Sequence, residues 1–389
     1  MDLTIHPRTL RGEITIIPSK SQAHRLLICA AFADGPTQLR CEDSNRDIEA
    51  TADCLRALGT QIIQTETGYT VFPATVIPGT AVLNCCESGS TLRFLLPIAG
   101  ALGVDATFMM EGRLPQRPLS PLWEEMERMG CRLSRPTEKT IRCEGQLKAG
   151  QYAVDGSISS QYITGLLFAL SLIRGECSLE ITGKVESKPY IDLTKAAMAL
   201  FSAPNYHTPG YIGVEGDWSN GAFFLSANEL GSELSIRGLD LDSVQGDRAI
   251  LTHLEQMRSG IPIISAADIP DLVPIMAVVA GANHGATFTD IQRLRLKESD
   301  RVATVIAMIE ALGGKAEATE NTLTIYGTGY TGGTVNSHND HRIAMAAAIA
   351  ATVCSNPVTI VGCEAVNKSY PKFWEEYERL GGKYEQYLR

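Results

Sequence analysis

The sequence has few of the features that would link it to a membrane or a nucleic acid. No window approaches the roughly 18 consecutive apolar residues of a membrane helix. The first residues, MDLTIHPRTLRGE, carry charges and a proline where a secretory signal has an apolar stretch. Because 44 acidic residues outnumber 34 basic ones, the chain lacks the basic surface that nucleic acids and anionic membranes require. These absences predict a cytoplasmic protein.

Motifs for metals and nucleotides are missing as well. The ten cysteines form no CxxC pair and no Cys/His group at zinc spacing, so we expect reduced thiols. There is no GxxxxGK[ST] loop, no GxGxxG after a first strand and no cluster of carboxylates suited to magnesium. The lone histidine of NDHR, His341, has no second ligand nearby. The sequence therefore argues against a kinase, an NTPase and a metal site.

What the sequence does contain is a repeat. With 389 residues, 44% of them hydrophobic, the chain is long enough for two domains with separate cores. Polar or small residues lead into an apolar helical run at six places, 49 to 71 residues apart, which begin at Ser19, Ser88, Ser159, Ser219, Asp268 and Asn339. Most runs are followed by a strand, an amphipathic helix that often ends at glycine, and two further strands.

We interpret each unit as helix, strand, helix, strand, strand. One such unit cannot bury both faces of its helices, so several units must share a core, with apolar helices inside and sheets outside. Six units suit two domains of three. The predicted fold class is α/β, a two-domain inverse α/β barrel built from six repeats.

Positive charges recur where these helices begin. The cations at or near helix starts are Lys20, Arg25, Arg93, Arg113, Arg117, Lys188, Lys297, Arg301, Arg342 and Lys368. Taken singly, such residues are usually solvated surface charges or helix caps. Together with helix N-termini, which attract anions, the recurring set favours a cleft for substrates with several phosphate or carboxylate groups.

Two carboxylates stand among these cations. Asp271 in DIPD and Glu298 in RLKESDR are the candidates for proton transfer. The alternative for both is a structural role as helix N-caps.

Eleven motifs carry a resemblance to a known family. They are SKSQAHR, SGSTLR, GRLPQRP, SSQ, SKPYIDLT, EGDWS, VQGD, DIPD, RLKESDR, NDHR and NKSYP. In this order, from end to end of the chain, they resemble the EPSP synthase family of enolpyruvyl transferases. The resemblance implies two domains, residues 1–18 with 229–389 and residues 19–228. Each domain would hold three βαβαββ units around buried parallel helices, with the active site in the cleft between the domains.

The resemblance also implies a reaction. The 5-hydroxyl of shikimate-3-phosphate adds to C2 of phosphoenolpyruvate while C3 is protonated. Loss of phosphate and of a C3 proton then forms an enol ether on the route to chorismate and the aromatic amino acids. Neither a metal nor an organic cofactor is required.

Carried over residue by residue, the resemblance implies that Asp271 and Glu298 are the acid/base pair, with Asp271 nearer the 5-hydroxyl and Glu298 nearer the methylene carbon. Lys20 would contact both substrates and take part in proton transfer. The residues implied for shikimate-3-phosphate are Ser21, Arg25, Ser159, Ser160, Gln161, Ser187, Asp271 and Lys297. Those implied for phosphoenolpyruvate are Lys20, Gly89, Arg93, Arg113, Gln161, Arg301, Arg342 and Lys368.

The sequence departs from the family pattern at three places. Glu87 stands where the family commonly has asparagine, and Ser90 replaces a common threonine. A carboxylate at Glu87 opposes an anionic ligand unless it pairs with a basic residue. Segment 259–268 lacks most of the strand pair expected after its helix, so we expect one short sheet. Arg293 falls where some members have an asparagine near the substrate, and it has no assigned role.

Two alternatives stay open. The sister enzymes that transfer enolpyruvyl to UDP-N-acetylglucosamine share fold and chemistry, but that resemblance would call for a reactive cysteine in GRLPQRP, which has none. A non-catalytic anion-binding homologue could keep the cleft, yet it would have no need of Asp271 and Glu298 among cations. Because the apolar helices suit burial within two domains, we expect a monomer.

Overall fold

The computed structural model describes residues 1–387, and the chain divides into two compact units. The first unit joins Met1–Ile17 with Gly216–Arg389, and the second is Pro18–Glu215. The chain returns to the first unit at Gly216, ahead of the expected residue 229. The reason is the helix that follows Gly216, because its large side chains Trp218 and Phe223 are buried in the core of the first unit.

The strands of the described residues, in chain order, are β1 (Asp2–His6), β2 (Arg11–Thr15), β3 (Thr37–Arg40), β4 (Gln61–Thr65), β5 (Gly68–Phe72), β6 (Thr80–Asn84), β7 (Asp105–Met109), β8 (Cys131–Thr137), β9 (Thr140–Gly145), β10 (Gly150–Asp155), β11 (Cys177–Thr182), β12 (Tyr211–Gly213), β13 (Glu233–Arg237), β14 (Ile263–Ser265), β15 (Gly285–Thr289), β16 (Lys315–Ala318), β17 (Thr322–Tyr326), β18 (Gly333–Asn336), β19 (Val358–Val361) and β20 (Lys383–Tyr387).

The helices are α1 (Lys20–Ala31), α2 (Arg46–Ala57), α3 (Gly89–Leu102), α4 (Leu122–Arg128), α5 (Ser160–Leu172), α6 (Lys188–Leu200), α7 (Trp218–Glu229), α8 (Ile250–Ser259), α9 (Val273–Ala282), α10 (Arg301–Ala311), α11 (His341–Ala350) and α12 (Phe373–Arg379). Short 3-10 helices cover Leu114–Gln116, Gly246–Ala249, Gln292–Leu296 and Cys363–Lys368. Within residues 1–387, none of the helices combines the length and apolar character needed to cross a bilayer.

The strands of residues 1–387 form six sheets, three in each unit. In the sheet β6-β7-β9-β8, the parallel strands β6 and β7 are joined through α3, and α4 leads into the antiparallel pair β8 and β9. A helical crossover is what parallel neighbours require. The same pairing pattern, one parallel pair followed by two antiparallel pairs, recurs in the sheets β12-β3-β5-β4, β14-β15-β17-β16 and β18-β19-β1-β20. The α/β class with mixed sheets is therefore confirmed.

Two of these sheets have only two strands, β13 with β2 and β10 with β11. After α8 the chain forms only the three-residue strand β14, which joins the following sheet. The strand pair is thus missing where the sequence predicted a loss. The second short sheet was not expected: α6 is followed only by β12, which pairs with β3.

Each unit has an apolar core built on helices. In the first unit α7, α9 and α11 contact one another, and every residue of α11 is buried. In the second unit α3 packs along α5. In strands such as β10, buried and more exposed residues alternate, so that one face of the sheet packs on the core and the other faces solvent. Helices that are apolar nearly all round are stable only when enclosed in this way.

Polar side chains cap most of these buried helices, at the predicted residue in α1, α3 and α5 and one or two residues earlier or later in α7 and α11. Ser19, Ser88 and Ser159 accept hydrogen bonds from backbone N–H groups in the first turns of α1, α3 and α5. Asp217 and Asp340 do the same for α7 and α11. A cap satisfies one or two of the N–H groups at a helix start and leaves the others available to a ligand.

Candidate active site

In the first unit, three carboxylates surround one buried guanidinium. Arg301 is 1% exposed. It donates from Nη1 to Asp271 Oδ1 at 2.5 Å and from Nη2 to Glu298 Oε2 at 2.7 Å. Its Nε donates to Asp340 Oδ2 at 2.9 Å, and Arg342 Nη2 donates to the other oxygen of Asp271 at 3.0 Å. The structure thus brings the two predicted acid/base carboxylates together.

Helix starts hold this cluster in place. Asp300 caps α10 by accepting from two backbone N–H groups of the first turn, which makes Arg301 the first helical residue. Asp340 caps α11 by accepting from the N–H of Arg342. Asp340 is not among the residues predicted from the sequence, although an aspartate directly before an apolar helix is a recognisable capping signal.

Burial and charge act against each other on Asp271. Burial works to raise its pKa, but the positive charges of Arg342, Lys297 and Arg301 hold that pKa well below the ordinary aspartate value. Lys297 Nζ lies 3.8 Å from Asp271 Oδ1. Burial lowers the pKa of Lys297 to about 8, although the charge of Asp271 opposes the shift. At neutral pH Asp271 is therefore an ionised proton acceptor, and Lys297 titrates slightly above neutrality.

Two further cations of the sequence analysis lie near this cluster. Lys368 Nζ donates to the carbonyl oxygen of Asn339 at 2.9 Å, so it lies beside the start of α11. Arg293, which had no assigned role, lies close enough to help lower the pKa of Lys297. The first unit therefore gathers four cations of the predicted set, Lys297, Arg301, Arg342 and Lys368.

In the second unit, Lys20 at the start of α1 pairs with Asp47. Lys20 Nζ lies 3.0 Å from Asp47 Oδ2, and the two side chains are 15% and 17% exposed. Asn45 caps α2, so that Asp47 belongs to its first turn. Asp47 could not be singled out from the sequence, because an acidic residue in a first turn is explained by the helix dipole alone. The ion pair fixes the position of the Lys20 amine.

Arg25 makes its contacts inside the protein. Its Nε donates to Thr194 Oγ1 at 2.8 Å, its Nη1 to the Ser21 carbonyl at 2.6 Å and its Nη2 to the Tyr190 carbonyl at 3.0 Å. Burial lowers the pKa of Arg25 to about 10. The guanidinium links α1 to α6, and a substrate bound to Arg25 would compete with these hydrogen bonds.

Two guanidiniums converge on the start of α3. Arg93 Nη1 donates to Gln161 Oε1 at 2.8 Å, and Gln161 Nε2 donates to Ser90 Oγ at 3.0 Å. A β-carbon on Gly89 would lie 2.6 Å from Arg93 Nη1 and 2.7 Å from Arg117 Nη1. Only glycine therefore leaves room for both guanidiniums at this helix start.

Of the two arginines in GRLPQRP, Arg117 lies beside Gly89. Arg113, the one assigned from the sequence, precedes the 3-10 helix Leu114–Gln116 and is exposed. Sequence spacing could not decide between them, because the 3-10 turn that separates them has no strong local signal. Glu87 lies against the same loop, since a β-carbon on Gly112 would be 2.5 Å from Glu87 Oε2.

The serines predicted to bind shikimate-3-phosphate lie at helix starts. Ser159 Oγ accepts from the N–H of Gln161 at 3.3 Å, and Ser160 is buried in the same first turn. Ser187 precedes α6 with a left-handed backbone, φ 55°, and Ser21 lies in the first turn of α1. A helix start combines N–H donors with a partial positive charge, which suits phosphate. Among residues 1–387, no group of three His, Cys, Asp or Glu side chains is arranged to hold a metal ion.

Comparison with known proteins identifies the family. The sequence matches the family model of EPSP synthase (3-phosphoshikimate 1-carboxyvinyltransferase) over residues 5–263 and 258–377. The chain belongs to the EPSP synthase family. A 3-phosphoshikimate 1-carboxyvinyltransferase of Clostridium kluyveri is 36% identical over 419 residues, covering 99% of this chain and 98% of the relative. One of Clostridium beijerinckii is 37% identical over 429 residues, covering 99% of both.

Solved EPSP synthases share the fold. A structure from Acinetobacter baumannii superposes with a TM-score of 0.80 at 23% identity, covering 99% of this chain and 100% of that one. A second from the same organism gives a TM-score of 0.79 at 22% identity. The family, the α/β fold and the enzyme class predicted from the sequence are therefore confirmed. The roles of individual residues in this EPSP synthase family member stay predictions.

Proposed function

We propose that this chain transfers the enolpyruvyl group of phosphoenolpyruvate to the 5-hydroxyl of shikimate-3-phosphate and releases phosphate. Its membership of the EPSP synthase family supports the reaction and its place in aromatic amino acid biosynthesis. The observation that carries the proposal is that Asp271 and Glu298 share the guanidinium of Arg301. Addition and elimination need a proton acceptor and a proton donor close together, and this pair supplies both.

Asp271 is the proposed acceptor of the 5-hydroxyl proton. Its depressed pKa keeps the carboxylate ionised, so it can take that proton as the hydroxyl oxygen bonds to C2 of phosphoenolpyruvate. Arg301 and Arg342 also weaken it as a base, because both stabilise the anion. An anionic substrate that draws Arg342 toward itself would loosen this pairing and raise the basicity of Asp271 when the substrate is bound.

Glu298 is the proposed partner of the methylene carbon. In the addition C3 gains a proton and becomes a methyl group; in the elimination the C2–O bond to phosphate breaks and C3 loses a proton. Glu298 is 26% exposed, so a substrate atom has access to its carboxylate. Lys20, held by Asp47, is the proposed second group in these transfers.

Cations and helix starts serve the phosphate and carboxylate groups. The residues proposed for phosphoenolpyruvate are Lys20, Gly89, Arg93, Gln161, Arg301, Arg342 and Lys368, as inferred from the sequence. We add Arg117 because of its approach to Gly89, and we favour it over the exposed Arg113. The residues proposed for shikimate-3-phosphate are Ser21, Arg25, Ser159, Ser160, Gln161, Ser187, Asp271 and Lys297.

We also propose a cytoplasmic monomer without nucleic-acid partners. The net charge of −10 supports the absence of nucleic-acid binding. The burial of the apolar helices within each unit supports the monomer.

Phosphate release from phosphoenolpyruvate, with and without shikimate-3-phosphate, tests the reaction. We expect release only when shikimate-3-phosphate is present. In Glu298→Gln and Asp271→Asn, kcat should fall by about 100-fold or more, because general acid–base catalysis contributes factors of this size. Glu310→Gln, an exposed carboxylate on the same helix as Arg301, is the matched control and should keep the activity. Release that needs UDP-N-acetylglucosamine, or no acceptor at all, would contradict the proposal.

A further inference from the structure

Asp247 is a buried carboxyl for which the reaction described above has no use. It lies in the 3-10 helix Gly246–Ala249 and is 3% exposed. Ser219, in the first turn of α7, donates its hydroxyl hydrogen to Asp247 Oδ2. The other oxygen, Oδ1, is buried and has no hydrogen-bond partner within residues 1–387.

Charged groups of the candidate active site face this carboxyl. Asp271 and Arg342 act on Asp247 most strongly, and Asp217 at the cap of α7 adds a third charge. The 3-10 helix packs against α7 and α8. The other charged or titratable side chains on these elements are Arg248, Glu229, His253, Glu255 and Arg258. Asp247 therefore belongs to the surroundings of Asp271, although it makes no direct hydrogen bond to that residue.

An ionised Asp247 would be poorly accommodated here. A buried carboxylate oxygen without a donor is costly, and a second carboxylate nearby adds repulsion. A proton on the carboxyl removes both penalties. In keeping with this geometry, burial first and the charge of Asp271 second raise the pKa of Asp247 to about 7, although Arg342 and the Ser219 hydroxyl oppose the shift.

We propose that Asp247 is a positioning residue that carries a proton in the active form of the protein and acts through Asp271 and Arg342. The proposal rests on the proposed function for its kinetic consequence. While Asp247 is neutral, its carboxyl does not compete with the anionic substrate for the positive charge of Arg342. When Asp247 loses its proton to solvent, its charge opposes phosphoenolpyruvate at Arg342, and substrate binding weakens as pH rises.

The ionisation can be measured without any activity. A carbon-13 NMR titration of the side-chain carboxyls, with the Asp247 signal assigned by its loss in Asp247→Asn, should give a midpoint near pH 7. Ser219→Ala removes a hydrogen bond that stabilises the ionised form, so it should move the midpoint upward. A midpoint near 4, the ordinary aspartate value, or an unchanged midpoint in Ser219→Ala, would overturn the proposal.

The kinetic consequence is read from KM for phosphoenolpyruvate between pH 6 and pH 8.5. We expect KM of the wild type to rise about tenfold more than that of Asp247→Asn, an effect of the size expected for one partly screened charge. The pKa of Lys297 is also near 8, but its effect on KM is the same in the wild type and in Asp247→Asn. Asp242→Asn, an exposed carboxyl near the same turn, should behave as the wild type.

The outcomes separate this proposal from the proposed function. Parallel KM curves for the wild type and Asp247→Asn would overturn the role of Asp247 even if phosphate release depends on shikimate-3-phosphate. If no protein releases phosphate with that acceptor, the proposed function fails, and a titration midpoint near 4 would then reject the protonated carboxyl separately.

Discussion

At the scale of single residues, Arg301 shows how a buried cation is kept charged in the candidate active site. Burial works to lower its pKa, but the charges of Asp340, Glu298 and Asp271 outweigh burial and hold the pKa well above the ordinary arginine value. A buried charge costs several kcal/mol unless it is paired and hydrogen-bonded. The three carboxylates offset the cost of burial, so the guanidinium stays charged. Its hydrogen bonds in turn orient each carboxylate.

Gly89 gives a prediction at the same scale. Its missing β-carbon leaves room for Arg93 and Arg117, whose Nη1 atoms would lie within 2.7 Å of it. In Gly89→Ala both guanidiniums must turn away, because their tips are flexible and the backbone is not. The loss of one charge-assisted hydrogen bond to an anion costs about 1.5–3 kcal/mol, so KM for phosphoenolpyruvate should rise by at least about tenfold to 100-fold.

Steady-state kinetics with phosphoenolpyruvate varied, together with a thermal melt, check this prediction. Gly79→Ala is the matched control, because a β-carbon at that exposed position meets nothing within 4 Å. Unchanged KM in Gly89→Ala would show that the two guanidiniums do not bind the substrate. A large loss of stability would show instead that the added carbon disturbs the fold.

At the scale of elements, a chain of side-chain hydrogen bonds joins three helices of the second unit. His24 Nδ1 of α1 lies 2.7 Å from Thr51 Oγ1 of α2, which lies 2.7 Å from Thr91 Oγ1 of α3. Thr91 Oγ1 donates to the cap Ser88 at 2.7 Å. Burial, followed by the charges of nearby cations, holds the pKa of His24 well below its ordinary value, so the ring is neutral. The chain therefore links α1 and α2 to the capped start of α3.

Thr51→Val tests this chain, because it keeps the shape of the side chain and removes the central hydroxyl. His24 and Thr91 each lose a buried partner, and we expect the free energy of unfolding to fall by about 1–3 kcal/mol. Urea denaturation measures the loss. Thr65→Val on the exposed face of β4 should change stability by less than about 0.5 kcal/mol, and an equal loss in both variants would refute a role for the chain.

Elements also show what the sequence could and could not predict. The starts of α1, α3 and α5 were predictable because a serine cap followed by an apolar run is a local signal. The second short sheet could not be predicted, because the single strand after α6, β12, pairs with β3, which is distant in the sequence. Nor could the sequence choose Arg117 over Arg113, because which arginine reaches Gly89 depends on a short 3-10 turn.

At the scale of the whole molecule, the second unit is a continuous segment whose ends meet. The N–H of Ser19 donates to the carbonyl of Glu215 at 2.7 Å. In the first unit the N–H of Asp217 donates to the carbonyl of Ile17 at 2.9 Å, so the two points where that unit is interrupted are also adjacent. Segments with neighbouring ends and their own core are those that tend to fold alone.

We therefore expect the fragment Pro18–Glu215 to unfold cooperatively by itself. Its core is complete without the rest of the chain. Thermal unfolding followed by circular dichroism and by the fluorescence of Trp123 should give coincident single transitions. The fragment 19–228, cut at the boundary expected from the sequence, is the comparison. It would include most of α7, whose side chains Trp218 and Phe223 pack in the core of the first unit. Because these side chains would be exposed in the fragment, we expect it to aggregate. The absence of a transition in Pro18–Glu215 would contradict the division.

The first and last strands within residues 1–387 lie side by side in one sheet. β1 runs antiparallel to β20, with Asp2 opposite Tyr387. A short linker could join these neighbouring strands, and the polypeptide could then be opened at another surface loop with every strand pair kept. With such a linker the polypeptide would be circular, and any surface loop could provide its new ends. The order of the repeats along the chain is therefore one of several that the same strand pairing allows.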